Sequence, residues 1–116
     1  MRDECIKEEK EVNELTKTEE IVMTTIWGMD DLVTLSAVME ILDVQHKEKG
    51  WKPQTISTYF RKLVEKKYLK MNRKGKLYSY KVLVSEKEYR EYLVGDMLDR
   101  FFHGDKNEFV AAVEAK

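Results

Sequence analysis

The apolar residues of this chain change their spacing near residue 68. From Pro53 onward Ile56, Phe60, Leu63 and Val64, with Tyr59 beside them, recur three or four apart, the period of a helix with one buried face. From Tyr68 to Asn72 and from Leu77 to Leu83 the period is two, that of half-exposed strands. Arg73-Lys74-Gly75-Lys76 lies between them as the tip of a hairpin. A helix running straight into a hairpin needs a further apolar layer, and the preceding residues supply it. Thr16-Lys17-Thr18-Glu19 fits a capping box, and Ile21, Val22, Met23, Ile26 and Trp27 then form a helical stripe ending near Gly28. Leu35, Val38, Met39 and Leu42 mark a second helix from Thr34 to Gln45 or His46, with Lys47-Glu48-Lys49-Gly50 as the connection. Pro53 suits the first position of the third helix, where its missing N–H has no partner to lose.

Beyond the hairpin, Ser85-Glu86-Lys87-Glu88 is a second capping box. It opens a long helix carrying Tyr89, Tyr92, Leu93, Met97, Leu98, Phe101 and Phe102 as far as His103-Gly104. Asp105 then caps a short helix with Phe109, Val110 and Val113. Three helices, a hairpin and a helical arm make a winged helix-turn-helix with a C-terminal extension, mainly α with one small β-hairpin wing. The expected division is a flexible charged leader at 1–14, a winged-helix domain at 15–84 and a helical arm at 85–116.

Charge is distributed unevenly along this chain. Between Lys47 and Lys76 stand eleven Lys or Arg against Glu48 and Glu65, a local net of +9 in a molecule of formal charge −1. A nearly neutral protein can thus present one strongly positive face. Its cations fall on the third helix and the hairpin. Once the apolar stripe faces inward, Lys52, Gln54, Thr55, Ser57, Thr58, Arg61 and Lys62 are left facing out or flanking. Short polar side chains at a helix N-terminus suit base edges in the major groove of DNA, and cations one turn later suit its phosphates. Arg73, Lys74 and Lys76 on the hairpin would take the adjacent backbone or minor groove. These features point to double-stranded DNA as a partner, with a winged-helix module that binds another protein as the alternative.

The arm raises a separate question. Tyr92, Leu93, Met97, Leu98, Phe101, Phe102 and Phe109 are more large apolar groups than a helix beside so small a core should bury alone. Contact with a second copy of the chain would cover them, and folding back onto the winged domain is the other solution.

Chemistry beyond binding finds little footing. His46 and His103 are far apart and neither has a serine or acid pair at motif spacing; Cys5 is the only cysteine, so no internal disulfide forms. No phosphate-binding glycine loop and no metal-ligand spacing is present, so neither an enzyme nor a cofactor is expected. No apolar run reaches 18 residues and the N-terminus lacks an apolar segment, which leads to the expectation of a cytoplasmic protein without a membrane partner.

Particular stretches also resemble a known family. Leu15 to Met23 followed by Ile26-Trp27 resembles the first helix of the penicillinase-repressor family, which includes β-lactamase, methicillin-resistance and copper-responsive repressors. Trp51-Lys52-Pro53-Gln54-Thr55-Ile56-Ser57-Thr58 with Arg61-Lys62-Leu63 is similar to its recognition helix, and Lys74 to Tyr80 to its wing. Val84-Ser85-Glu86 matches the entry to its arm. The resemblance, over roughly residues 15 to 110, implies a homodimeric repressor on a palindromic operator, with the C-terminal helices supplying the dimer contact. Tyr68 stands where the family often has glycine and Val82 where it often has proline. Ala112-Val113 stands nearest the Asn-Phe bond that is cut in β-lactam-responsive members, and the cysteine cluster of copper-responsive members is absent. The resemblance therefore names no inducing signal and no sensor protein for this chain.

Overall fold

The computed structural model describes residues 12–116. Most of the expected leader, including Cys5, lies outside this range. The described chain forms helices α1 (Lys17–Trp27), α2 (Leu35–Gln45) and α3 (Pro53–Glu65), strands β1 (Leu69–Lys74) and β2 (Leu77–Val82), then helices α4 (Glu86–Phe102) and α5 (Lys106–Glu114). A single 3-10 turn, Lys47–Lys49, closes on Gly50 in the left-handed conformation between α2 and α3.

Three of the helix starts are set by side chains that accept the orphan N–H groups of the first turn. Thr16 Oγ1 accepts from the Glu19 N–H at 3.3 Å while the Glu19 carboxylate accepts from the Thr16 N–H at 2.8 Å, completing the capping box. Thr34 accepts from the Ala37 N–H at 3.1 Å, and Asp105 from the Glu108 N–H at 3.1 Å. Helix α3 differs. Pro53 opens it and no side chain caps it.

The first three helices converge on one core. Val22, Met23 and Ile26 from α1, Val38 and Leu42 from α2, and Ile56, Phe60 and Leu63 from α3 are all buried. Tyr68 and Leu69 close the core from the base of the hairpin. Burying each such side chain is worth about 1.5–3 kcal/mol against conformational entropy of similar total size. Tyr80 reaches in from β2 and meets Phe60 edge to face, with ring centroids 4.7 Å apart.

Strands β1 and β2 are antiparallel, and Lys74 pairs with Leu77. The loop is thus Gly75-Lys76 alone, and Arg73 and Lys74 belong to β1. The four-residue tip read from the sequence is a two-residue turn, because Gly75 adopts a φ of 65°. That value fits the first central position of a II′ hairpin, whose twist matches the strands. A third, one-residue strand joins the sheet where the Tyr80 N–H donates to the Val33 carbonyl at 2.9 Å. The Trp27 indole N–H donates to the Val84 carbonyl at 2.9 Å, tying the exit of the hairpin to α1.

The junction between α3 and β1 carries the densest polar network. The Tyr68 N–H donates to the Leu63 carbonyl (2.9 Å) and the Lys67 N–H to Val64 (3.0 Å), with Lys67 at a φ of 67°. This is a Schellman closure with lysine where glycine is the usual occupant. Lys66 donates to the buried Glu19 carboxylate at 2.6 Å and to the Glu14 carbonyl at 2.9 Å. The Asn13 side-chain amide donates to the Lys66 carbonyl at 3.0 Å, and the Tyr68 hydroxyl to the Asn13 carbonyl at 2.5 Å. The folded unit therefore reaches back to Asn13. Burial pushes the Glu19 carboxyl up, but the bonds from Lys66 and Thr16 together with the lysine charge outweigh it and hold its pKa below the ordinary value.

Between Ser85 and Glu86 the chain divides into two compact units. In the second, α4 ends at His103 and Gly104, both with positive φ, and the Gly104 N–H returns to the Leu98 carbonyl at 3.0 Å. Helix α5 folds against α4 through Phe102 and Phe109, edge to face at 5.2 Å. Among the described residues no helix is long and apolar enough to cross a membrane.

Candidate nucleic-acid interface

With Ile56, Phe60 and Leu63 turned inward, the 3.6-residue period places the polar residues of α3 outside. Lys52, Gln54, Thr55, Ser57, Arg61 and Lys62 are exposed. Thr58 is half-buried, and its hydroxyl donates back to the Gln54 carbonyl at 3.0 Å. In this geometry Thr58 offers a ligand its acceptor lone pair rather than its proton. In the first turn Pro53 has no N–H and the Thr55 N–H donates to the Lys52 carbonyl at 3.0 Å, so among the described residues the Gln54 N–H is left at the positive helix end beside Lys52. The Lys62 ammonium sits 5.4 Å from the Tyr59 ring, which holds it along the helix flank.

The wing cations are arranged by the strand pairing. Arg73 lies opposite Tyr78, with its guanidinium 5.2 Å from that ring and its Nε donating to the Gly75 carbonyl at 2.9 Å. Lys74 and Lys76 are exposed at and beside the turn. The helix and wing sets adjoin: Ser57 and Arg61 of α3 line shallow cavities together with Met71, Tyr78 and Tyr80 of the hairpin.

Three further cations lie on or beside these elements and were not among the residues singled out from the sequence. Lys49 lies 5.9 Å from the Trp51 ring beside the start of α3. Lys70 and Lys81 stand directly opposite each other on the outer face of the hairpin. Like charges so paired cost stability. Alternation along the strands, with Leu69 and Val82 turned inward, would have placed both on the opposite face.

The arm residues divide into two groups. Leu93, Met97 and Phe101 are exposed, Phe101 by 63%, and their spacing of four puts them on one stripe of α4. Tyr92, Leu98, Phe102 and Phe109 are half-buried. Tyr92 stacks near Tyr89, and Phe102 and Phe109 face each other within the arm. Val94, Val110 and Val113 are exposed apolar residues that the sequence reading did not include in this face. Gly95, inside α4, has no atom within 4 Å of where a Cβ would stand. Among the described residues no group of histidine, cysteine, aspartate or glutamate is placed to hold a metal ion.

A three-helix unit with an uncapped, cation-flanked third helix and a basic hairpin is a winged helix-turn-helix domain. The sequence pattern of the penicillinase repressor family matches residues 15–116, and the chain belongs to that family. It is 28% identical over 101 residues to the penicillinase repressor of Bacillus licheniformis, covering 87% of this chain and 76% of that protein. It is 26% identical over 97 residues to the methicillin resistance regulatory protein MecI of Staphylococcus aureus strain N315, covering 84% and 76%. Among solved structures it is similar to the DNA-binding domain of the repressor BlaI, with a TM-score of 0.56 and 26% identity over 70% of this chain and 94% of that one. It is also similar to the monomeric form of Bacillus licheniformis BlaI in complex with the blaP half-operator, with a TM-score of 0.55, 26% identity and the same coverage of both chains.

Proposed function

We propose that this protein is a transcriptional repressor that binds double-stranded operator DNA as a homodimer. The exposed cations that α3 and the wing present on adjoining elements carry this reading, and the likeness to a BlaI chain bound to a half-operator supports it. Helix α3 enters the major groove by its N-terminal half. Gln54, Thr55, Ser57 and the Thr58 acceptor read base edges there, and Lys52, Arg61 and Lys62 hold the backbone. Arg73, Lys74 and Lys76 take phosphates or the minor groove alongside. No chemical step is part of this activity, so the protein is not an enzyme, and it works in the cytoplasm where its operator lies.

One winged helix reads a short half-site, so tight binding requires two units on a symmetric axis. The exposed stripe of Leu93, Met97 and Phe101, extended by Val94, Val110 and Val113, is the surface a second copy covers. Tyr92, Leu98, Phe102 and Phe109 form the layer beneath it, and Gly95 allows a facing helix to approach closely.

Genomic footprinting with the intact protein tests the reading. The expected result is protection of two half-sites related by a dyad, one or two helical turns apart. A chain that protects no site and shifts no random duplex at low salt is instead a winged-helix module for binding another protein.

A further inference from the structure

The DNA contacts proposed for α3 and the wing are made by polar and cationic side chains, yet the wing shows exposed apolar groups where it meets α3. Met71 is 49% exposed and Tyr78 42%. Scattered apolar residues are ordinary on a surface. These are not scattered, because they line a concavity. Two cavities of about 330 and 320 Å³ share Ser57, Met71 and Tyr80 and so form one trough between helix and hairpin. Each lies at the lower end of the size of small-molecule sites, roughly 300–1,000 Å³.

The floor is rigid. Tyr80 is pinned by its backbone bond to Val33 and by the edge of its ring on Phe60. Leu35 and Tyr78 close one end, and Val64 and Arg61 the other. No carboxylate lines either half. Among the described residues no hydrogen bond or ion pair holds the Arg61 guanidinium, and Ser57 adds an exposed side chain. An apolar, aromatic-walled trough with the Arg61 guanidinium at its end selects a flat apolar body that carries an anionic group.

We propose that this trough is a binding site for a small aromatic carboxylate, with its rings on Met71 and Tyr80 and its carboxylate on Arg61. The site rests on the DNA-binding reading for its consequence. Ser57 and Arg61 belong to the proposed DNA-contacting set, so an occupied trough removes them from DNA and the ligand competes with the operator.

The test uses 2-naphthoate and the intact, isotopically labelled protein. Amide shifts should be confined to residues around Ser57, Arg61, Met71 and Tyr80. The neutral analogue 2-naphthamide should bind about tenfold more weakly, as loss of one charge-assisted hydrogen bond requires. The Met71→Gln variant, altered at an exposed position outside the proposed DNA contacts, should weaken naphthoate by a similar factor and leave duplex affinity unchanged. Naphthoate should also displace a labelled duplex at the concentrations at which it fills the trough. Shifts on the arm, equal binding of acid and amide, or duplex retained at saturating naphthoate would overturn the proposal. A protein that binds duplex and shows no shifts refutes the site and leaves the repressor reading intact. One that takes naphthoate in the trough and binds no duplex supports the site and refutes the repressor reading.

Discussion

The two units of this molecule use similar apolar residues in opposite ways. In the winged unit most large apolar side chains of α1, α2 and α3 are buried together, while Leu32, Val44, Met71, Leu77 and Tyr78 stand out. In the arm Tyr89 is the only large apolar residue that is buried, while six from Leu93 to Val113 are exposed along its two helices. Winged-unit stability therefore resides in one chain. On the proposed dimer, arm stability depends on the second copy, and concentration should govern the arm and leave the winged unit untouched.

Removing a ring from each unit probes that contrast most strongly. Phe60→Ala should cost about 3–5 kcal/mol in urea unfolding, because it opens a cavity in a closed core. Phe101→Ala should leave the unfolding of the winged unit unchanged. Equal losses at the two sites would erase the distinction between the units. Next in size is the pair Met97→Asp and Phe101→Asp, which should give a folded monomer by sedimentation and circular dichroism. Operator affinity should fall by at least about a hundredfold, the scale of lost avidity, while weak non-specific binding remains. An unmodified protein that is monomeric at tens of micromolar and still binds its operator tightly would end the dimer reading.

The polar junction gives a smaller effect with a pH signature. Lys66→Met strands the buried Glu19 and should cost about 2–3 kcal/mol, below the roughly 3–5 of a fully buried pair because Lys66 is partly exposed. The Glu19 pKa is lowered in the folded state. Its contribution is therefore complete above the unfolded carboxylate value and is lost as pH falls through the lower folded value. Unfolding of Glu19→Gln followed from neutral to acid pH should show a shallower decline than the parent. On the reading face, Thr55→Val should cost about 1–3 kcal/mol at particular base pairs. Arg73→Ala with Lys74→Ala and Lys76→Ala should weaken all sequences alike and flatten the salt slope by up to about 0.9 for each phosphate left without its cation. Smallest is Lys67→Gly, which should raise stability by about 1 kcal/mol in thermal unfolding by relieving a left-handed lysine.

Local signals were the legible ones. Thr16, Thr34 and Asp105 cap where the sequence suggests, and Pro53 opens α3, because a cap is decided by residues within one turn. The change of period announced the hairpin but not its loop length, which depends on the φ of Gly75 rather than on composition. Val33 gave no strand signal because a single bridge has no period. The bond from Lys66 to Glu19 spans 47 positions, and nothing in either neighbourhood marks it. Of the interface, the residues followed from helical period and charge. What stayed hidden were the bond that Thr58 makes to its own helix and the apolar trough beside it, since both arise only when α3 and the hairpin are folded.

The strap from Asn13 to the end of α3 has a consequence for the thermodynamics of reading. Helix ends ordinarily fray, and a helix that must stop fraying before it can dock spends part of its binding free energy on becoming ordered. Here the last carbonyls of α3 are already engaged: Leu63 by the Tyr68 N–H, Val64 by the Lys67 N–H and Lys66 by the Asn13 amide. The C-terminal end of the reading helix is thus set before any DNA arrives. Amide hydrogens in its final turn should exchange as slowly in the free protein as in the complex, and the heat capacity of association should carry no contribution from ordering of that turn.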